Sequence, residues 1–403
     1  MLVPQDFARP EHRLSIPTYR VGFSVYFTKP NECAGYYIGE RSMQPVQSMV
    51  AAAGTKKPVF KVSEFQCSIN PHENSYGDKH QSHKVFYMAE HKIIAVVGAT
   101  GAQGGGLVRA ILSDVNGGFT ARALTRNPNS DKATELAKLG ANVVAADLDE
   151  TESLKRAFEG AYGAFCVTNF WEHFSPEKER AQATNMARSA KEAGLEHVIW
   201  STLEDTRQWV PLGDNRMPTL MGKHKVPHFD AKGEANHLFT EMGVPTTFLL
   251  TAFYWDNFIH FGVGPKRGQD RTLAITMPMG EKKLPGIAAG DIGKCGYGIF
   301  QRNHELIGKT IGIAGEHLTG TEMAAALTRA LGEQVRYNDV PPEVYRSFGF
   351  PGAEDLGNMF QFKRDFNEIY CGARNVEAAR GLNPTLQTFD EWLAQNKSRI
   401  PLE

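Results

Sequence analysis

Cysteine is scarce in this chain of 403 residues: Cys33, Cys67, Cys166, Cys295 and Cys371 are odd in number and far apart, with no C-x-x-C pair. That argues against a disulfide framework and offers no zinc or dithiol spacing, so reduced thiols in a reducing compartment are expected. Long apolar runs are also missing. No window approaches the roughly 18 apolar residues of a membrane-spanning helix. The opening stretch MLVPQDFARPEHR puts Asp6 and Glu11 where a secretory signal has its apolar run. Nor is there an excess of one charge: 44 Lys and Arg face 45 Asp and Glu, a net charge of −1, so no global field draws in nucleic acid or an acidic membrane. The expectation is a protein with no direct nucleic-acid or membrane role, located in the cytoplasm, with the nucleus as a second compartment.

What is present is ordinary globular material. Hydrophobic residues make up 41% and aromatics 10%, enough to fill a sizeable core. The texture changes near residue 88. Residues 1–87 are rich in Pro, Ser, Gln and His, with two short alternating stretches at 19–28 and 58–69. Two candidate strands do not make an independent domain, so this part reads as a poorly ordered extension. From MAEHKIIAVVGATG onward the pattern is regular. Apolar runs at 93–97, 120–124, 141–147, 163–168, 197–202 and 246–250 are short and mostly non-alternating, as strands buried on both faces are. Helical stretches fall between them, among them PEKERAQATNMARSAKEAG and KGEANHLFTEMG, which end at the C-cap-type glycines Gly194 and Gly243. Such alternation predicts an α/β fold with a doubly wound parallel sheet over residues 88–264, ligands binding at the carboxyl ends of its strands. Beyond it, residues 265–403 read as a smaller α+β C-terminal lobe, with a capping box Thr319-x-x-Glu322, a strand in EQVRYNDV and a closing helix in EWLAQNK.

The strongest chemical signal is the loop Gly98-Ala99-Thr100-Gly101-Ala102-Gln103-Gly104, which follows the first strand and opens the first helix. Glycines there allow a tight turn and let backbone N–H groups approach a pyrophosphate at a helix N-terminus. A residue that reads the adenosine ribose is expected about 20 positions further on. The chain there carries Arg126 and Asn127. An acidic side chain would bind a free 2′-hydroxyl, whereas a guanidinium chelates a 2′-phosphate, so the cofactor expected is NADP(H). Later strand ends supply Asp147 and Leu148 to flank the adenine and Asn169, Phe170 and Trp171 to line the path toward the nicotinamide.

The combination GATGAQGG, LTRNP, VTNFWE, HFDAKGE, VPTTFLLTAFYWDN, FPGAEDLGNMF and DEWL resembles the NmrA-like family, an atypical branch of the short-chain dehydrogenase/reductase superfamily. The likeness covers residues 91 to about 403. It implies an NADP(H)-binding Rossmann fold used as a redox sensor, with regulatory protein partners that include transcription regulators, and with frequent homodimers. Carried onto matching positions, it implies cofactor contacts at the glycine loop, Arg126, Leu148, Asn169 to Trp171, Lys232, and the run Tyr254, Trp255, Asp256 and Asn257. Ser130 and Asp131 precede Lys132, so a lysine the family can place after the arginine has no match here.

A reductase of that superfamily normally carries Tyr-x-x-x-Lys, the lysine lowering the tyrosine pKa so that the phenol can pass a proton. None of the twelve tyrosines has a lysine four residues later. Where the motif is expected the chain reads His228-Phe-Asp-Ala-Lys232. Turnover would fall to His228 as proton donor, with Ser201 or Thr202 polarising a carbonyl. The plainer reading makes His228 a packing or capping residue at a helix start. Two functions are therefore carried forward: an NADP(H)-dependent regulatory sensor without conventional catalysis, and an NADPH-dependent reductase of a small carbonyl or enone. Cys166, in the fourth strand, reads as a small buried hydrophobe, with a redox switch as the alternative.

Overall fold

A computed structural model describes residues 91–402. The extension expected over residues 1–87, with its two candidate strands, lies outside the described residues. The six expected strands all form, as β1 (Lys92–Val96), β2 (Phe119–Thr125), β3 (Asn142–Ala145), β4 (Gly163–Cys166), β5 (His197–Thr202) and β6 (Thr246–Leu250). All pair in parallel in the order β6-β5-β4-β1-β2-β3. The order reverses between β1 and β4, which opens a crevice at their carboxyl ends and gives the doubly wound Rossmann arrangement. A seventh strand, Thr310–Gly312, pairs in parallel with β6. The sheet thus recruits a segment from beyond the boundary expected at residue 264.

Helices α1 (Ala102–Ser113), α2 (Asp131–Lys138), α3 (Thr151–Phe158) and α4 (Pro176–Glu192) fill the crossovers. Leu107, Val108 and Ile111 of α1 bury one face of the sheet together with Ile292, Cys295 and Ile299 of the helix Ala289–Gln301. Leu154, Phe158, Met186 and Ala187 of α3 and α4 bury the other. Helix α1 and the helix Ala289–Gln301 are in backbone contact. A Cβ on Gly106 would lie 2.4 Å from the Gly290 carbonyl oxygen, so only glycine permits the approach.

Where one helix is expected in KGEANHLFTEMG, two short ones form, α5 (Pro227–Glu234) and α6 (Asn236–Glu241). The Thr202 hydroxyl, placed against the Lys232 carbonyl (3.1 Å) and the Asn236 side chain (2.7 Å), competes for the backbone acceptor that would bridge them. Pro227 at the first position starts α5 earlier than expected. Gly194 and Gly243 take the left-handed conformation expected of C-caps, with φ of 66° and 63°.

The smaller part carries two three-stranded sheets, one of them edged by Phe253–Tyr254 from before the expected boundary at residue 264, and a separate apolar core that draws Trp255 and Phe258 across the same boundary to join Phe360, Phe389 and Trp392. The capping box at Thr319 and Glu322, the strand Val335–Asp339 and the helix Phe389–Asn396 form as expected. Among the described residues no helix is long and apolar enough to cross a membrane.

Candidate functional site

A cavity of about 540 Å³ runs along the carboxyl ends of the strands and under the smaller part. One wall is the glycine loop: Gly98, Thr100, Gly101, Ala102, Gln103 and Gly104 all face it. A Cβ on Gly104 would sit 2.5 Å from the Gly98 carbonyl oxygen, so the turn closes only with glycine there. No side chain caps α1 at Gly101, and its first turn holds no acid. The N–H groups of that turn and the positive end of the helix are therefore open to an anion, and the cradle fits the pyrophosphate of a dinucleotide. Ala99 differs from its neighbours. It is fully buried, and its N–H donates to the Leu124 carbonyl (3.3 Å).

At the end of β2, Arg126 reaches the cavity rim, where its guanidinium is bonded to Glu172. Leu148 lines the same end. Asn127 and Asp147, expected beside it, are not in the lining. Each accepts from the backbone two residues on, Asn127 from Asn129 (3.1 Å) and Asp147 from Asp149 (2.9 Å), so each closes its own loop.

Past β4, Asn169, Phe170 and Trp171 line the cavity, and past β6 so do Tyr254, Asp256 and Asn257. Trp255 does not. Extended backbone alternates its side chains, and this indole turns into the apolar core, 5.3 Å centroid to centroid from Phe389. Gln103 ties the loop to this segment by donating to the Tyr254 phenol (2.6 Å). Its other end accepts from Ser201 (2.8 Å). The expected role of Ser201 or Thr202 in polarising a carbonyl does not fit: Ser201 is buried and positions Gln103, and Thr202 is committed to Asn236 (2.7 Å).

Lys232 lines the cavity, yet its ammonium is spoken for: Glu179 Oε1 lies at 2.6 Å, Thr168 Oγ1 at 2.5 Å and the Thr168 carbonyl at 3.0 Å. An ammonium has three protons, so this geometry leaves none for a ribose hydroxyl. Burial would raise the Glu179 carboxyl, but Lys232, His173 and Thr168 outweigh it and bring it to about 2. Glu179 was not singled out from the sequence because PEKERAQ reads as a solvated helix face.

His228 is the second residue of α5, buried at the helix start and packed against Phe170, Trp171 and Phe229. Its Nδ1 lies 2.6 Å from Asp355 Oδ1, and its backbone N–H donates to Asp355 Oδ2 (3.2 Å). The ring stacks at a tilt on Trp171, 4.7 Å between centroids, and faces the cavity. Among the described residues Nε2 has no protein partner. A carboxylate at Nδ1 fixes the tautomer and leaves Nε2 to exchange a proton with whatever enters. Asp355 comes from the helix Ala353–Asp365, whose Asp355, Met359 and Lys363 recur every four residues on one side. That spacing was legible in FPGAEDLGNMFQFKRD; that the side faces a cavity was not. Cys166 is fully buried in β4 and burial pushes its thiol up, which removes the thiolate a redox switch needs.

A family model described as NmrA-like family matches residues 90–393. The NmrA-like family domain-containing oxidoreductase hkm9 of Aspergillus hancockii is 30% identical over 303 residues, covering 72% of this chain and 88% of that protein. Among solved structures, Nmra, a negative transcriptional regulator, superposes with a TM-score of 0.64 at 25% identity, covering 76% of this chain and 95% of that one. The same regulator has been solved in complex with NADP and with NAD. The triphenylmethane reductase of Citrobacter sp., complexed with NADP(H), has a TM-score of 0.60 at 20% identity, covering 75% and 99% of the two chains, and shares the fold. The chain belongs to the NmrA-like family.

Proposed function

We propose that this member of the NmrA-like family binds NADP(H) along the strand ends and reduces a small carbonyl or enone compound in the adjoining part of the cavity. The cofactor would be held by the glycine loop at its pyrophosphate and by Arg126 at its 2′-phosphate. When bound it supplies a hydride. The observation that carries the reductase reading is the pair His228 and Asp355, with His228 lining the same cavity as the glycine loop. In the imidazolium form, Nε2–H donates its proton to the oxygen of the reduced carbonyl while Asp355 stabilises the charged ring. Phe170 and Trp171 pack around the imidazole and exclude water from the transfer. The relatives named as oxidoreductases support this reading.

The test is NADPH oxidation across a panel of aromatic aldehydes, ketones and enones, with His228→Ala as control. Turnover that falls by about a hundredfold in the variant, with NADPH affinity kept, is the expected outcome. Equal rates in the two proteins would remove His228 from the chemistry.

A second reading is favoured by one observation, the bond from Gln103 in the glycine loop to Tyr254 in the segment leading into the smaller part. Cofactor occupancy would then bias that part and be read by a regulatory protein partner or a second copy, without turnover. Likeness to a transcriptional regulator supports it. Hydrogen exchange in residues 265–402 should then change on adding NADPH. Protection confined to the strand ends would leave the sensor without a mechanism.

A further inference from the structure

The cavity also holds a lysine that neither reading uses. Lys363 is 2% exposed and lines the same cavity as His228 and the glycine loop. Its amine is surrounded by aromatic faces: Tyr370 at 5.3 Å, Phe229 at 5.4 Å, Phe360 at 5.6 Å and Phe253 at 6.0 Å from the ring centroids. Among the described residues its one polar neighbour within bonding distance is the Met359 thioether (3.2 Å), a weak acceptor. The nearby carboxylate, Glu204, is already taken by both terminal nitrogens of Arg374, at 2.5 and 2.9 Å. Burial, followed by Arg374, pulls the Lys363 amine down to about 7.

A buried ammonium facing only rings and sulfur is costly for a protein to keep. Apolar packing alone would be served better by leucine or methionine at this position. What the amine lacks is an oxygen acceptor, and the cavity leaves room for one to arrive with a ligand. The four rings present flat apolar faces, suited to a planar aromatic body by offset or edge-on stacking. A carboxylate or phenolate on that body would pair with the amine in surroundings where such a pair is strong.

We propose that Lys363 anchors the occupant of this chamber, and that the occupant is a planar aromatic compound carrying an anionic oxygen, a carboxylate or a phenolate. The inference rests on the reductase reading in calling that occupant the substrate; the anchoring itself does not. With the oxygen held at Lys363, the aromatic body would lie against Phe229 and Phe360 in the cavity that His228 and the glycine loop also line. A reducible carbonyl or enone would then be carried at the end of the molecule away from the anion. Two jobs then fall to two groups: Lys363 holds the substrate and His228 handles the proton.

The experiment is calorimetric titration of the full chain at pH 7 with 2-naphthoate and with 2-methylnaphthalene, which has the same ring system and no oxygen. The expected result is naphthoate bound at least tenfold more tightly than the hydrocarbon. Lys363→Met should lose at least tenfold in naphthoate affinity while binding the hydrocarbon within twofold of the parent chain. Lys363→Gln, which keeps a donor without the charge, should fall between, and serves if the methionine variant does not fold. Naphthoate affinity unchanged in both variants, equal affinity of the parent chain for the two probes, or no binding of either at millimolar concentration overturns the proposal. The two readings fail separately. Lys363-dependent naphthoate binding without NADPH oxidation on the carbonyl panel removes the reductase and keeps the anchor, whereas carbonyl reduction together with naphthoate affinity unchanged in both Lys363 variants does the reverse.

Discussion

The guanidinium of Arg126, at the end of β2, is bonded to the carboxylate of Glu172, in the turn that follows β4. Both side chains are largely exposed, 63% and 45%, and such a pair contributes about 1 kcal/mol or less. A 2′-phosphate offers charge-assisted hydrogen bonds of about 1.5–3 kcal/mol, enough to draw the arginine away. If a 2′-phosphate binds here, Glu172 would compete with it weakly for the guanidinium.

Arg126→Ala should weaken NADPH binding about ten- to a hundredfold and leave NADH within twofold, as read by calorimetry. Glu172→Gln should do the opposite and tighten NADPH a few-fold. Equal losses for both nucleotides in Arg126→Ala would remove the arginine from phosphate recognition.

Asp355 touches His228 through both the ring and the backbone. Asp355→Asn keeps the shape and removes the carboxylate that holds Nδ1. The expected outcome is a fall in carbonyl reduction of about tenfold or more at unaltered NADPH affinity. A variant that turns over as fast as the parent would show that Asp355 only packs the helix start.

Glu179 is buried against Lys232 with its carboxyl brought to about 2, below the ordinary 4.5. A depressed carboxyl contributes stability that is complete above about 4.5 and fades as the pH falls toward 2. The denaturation midpoint of the parent chain should thus lose ground to that of Glu179→Gln as the pH is lowered through this window. A constant difference between the two would place the effect in packing instead of charge.

For Lys363 the same lowering penalises the charged form instead of favouring it. The amine lies near 7 in the folded chain against 10.5 in the unfolded one, so between these values the unfolded state binds more protons and stability rises with pH. Lys363→Met should exceed the parent melting temperature most at pH 7 and below, and the advantage should shrink toward pH 10. An advantage that does not shrink would mean that the methionine is simply packed better.

The sheet was legible because its strands are buried on both faces and write uninterrupted apolar runs, and the caps were legible because Thr319, Gly194 and Gly243 act within a few residues of themselves. The glycine loop has the same local character. The seventh strand escaped notice because Thr310–Gly312 is only three residues long, and its pairing with β6 is a tertiary event. Lys232 was placed on the right wall, but its engagement by Glu179 could not be read, since a glutamate in a charged stretch looks solvated. Asp355 and Lys363 were hidden for the same reason: charged residues on a mixed helix suggest water, and only the tertiary structure shows that this side of the helix looks into a cavity.

The three consecutive glycines at 104, 105 and 106 look like one motif and are at least two. Gly104 closes the turn against Gly98, while Gly106 answers to Gly290, a residue far along the chain whose carbonyl occupies the space a methyl group would need. The run is therefore a palimpsest, with a record of tertiary contact written over a local turn. A comparison of sequences that scores all three together would credit a nucleotide fingerprint with information that belongs to a helix crossing. Chains that keep Gly104 and place a larger residue at 106 should still turn correctly, but their first helix would have to ride further from the helix Ala289–Gln301.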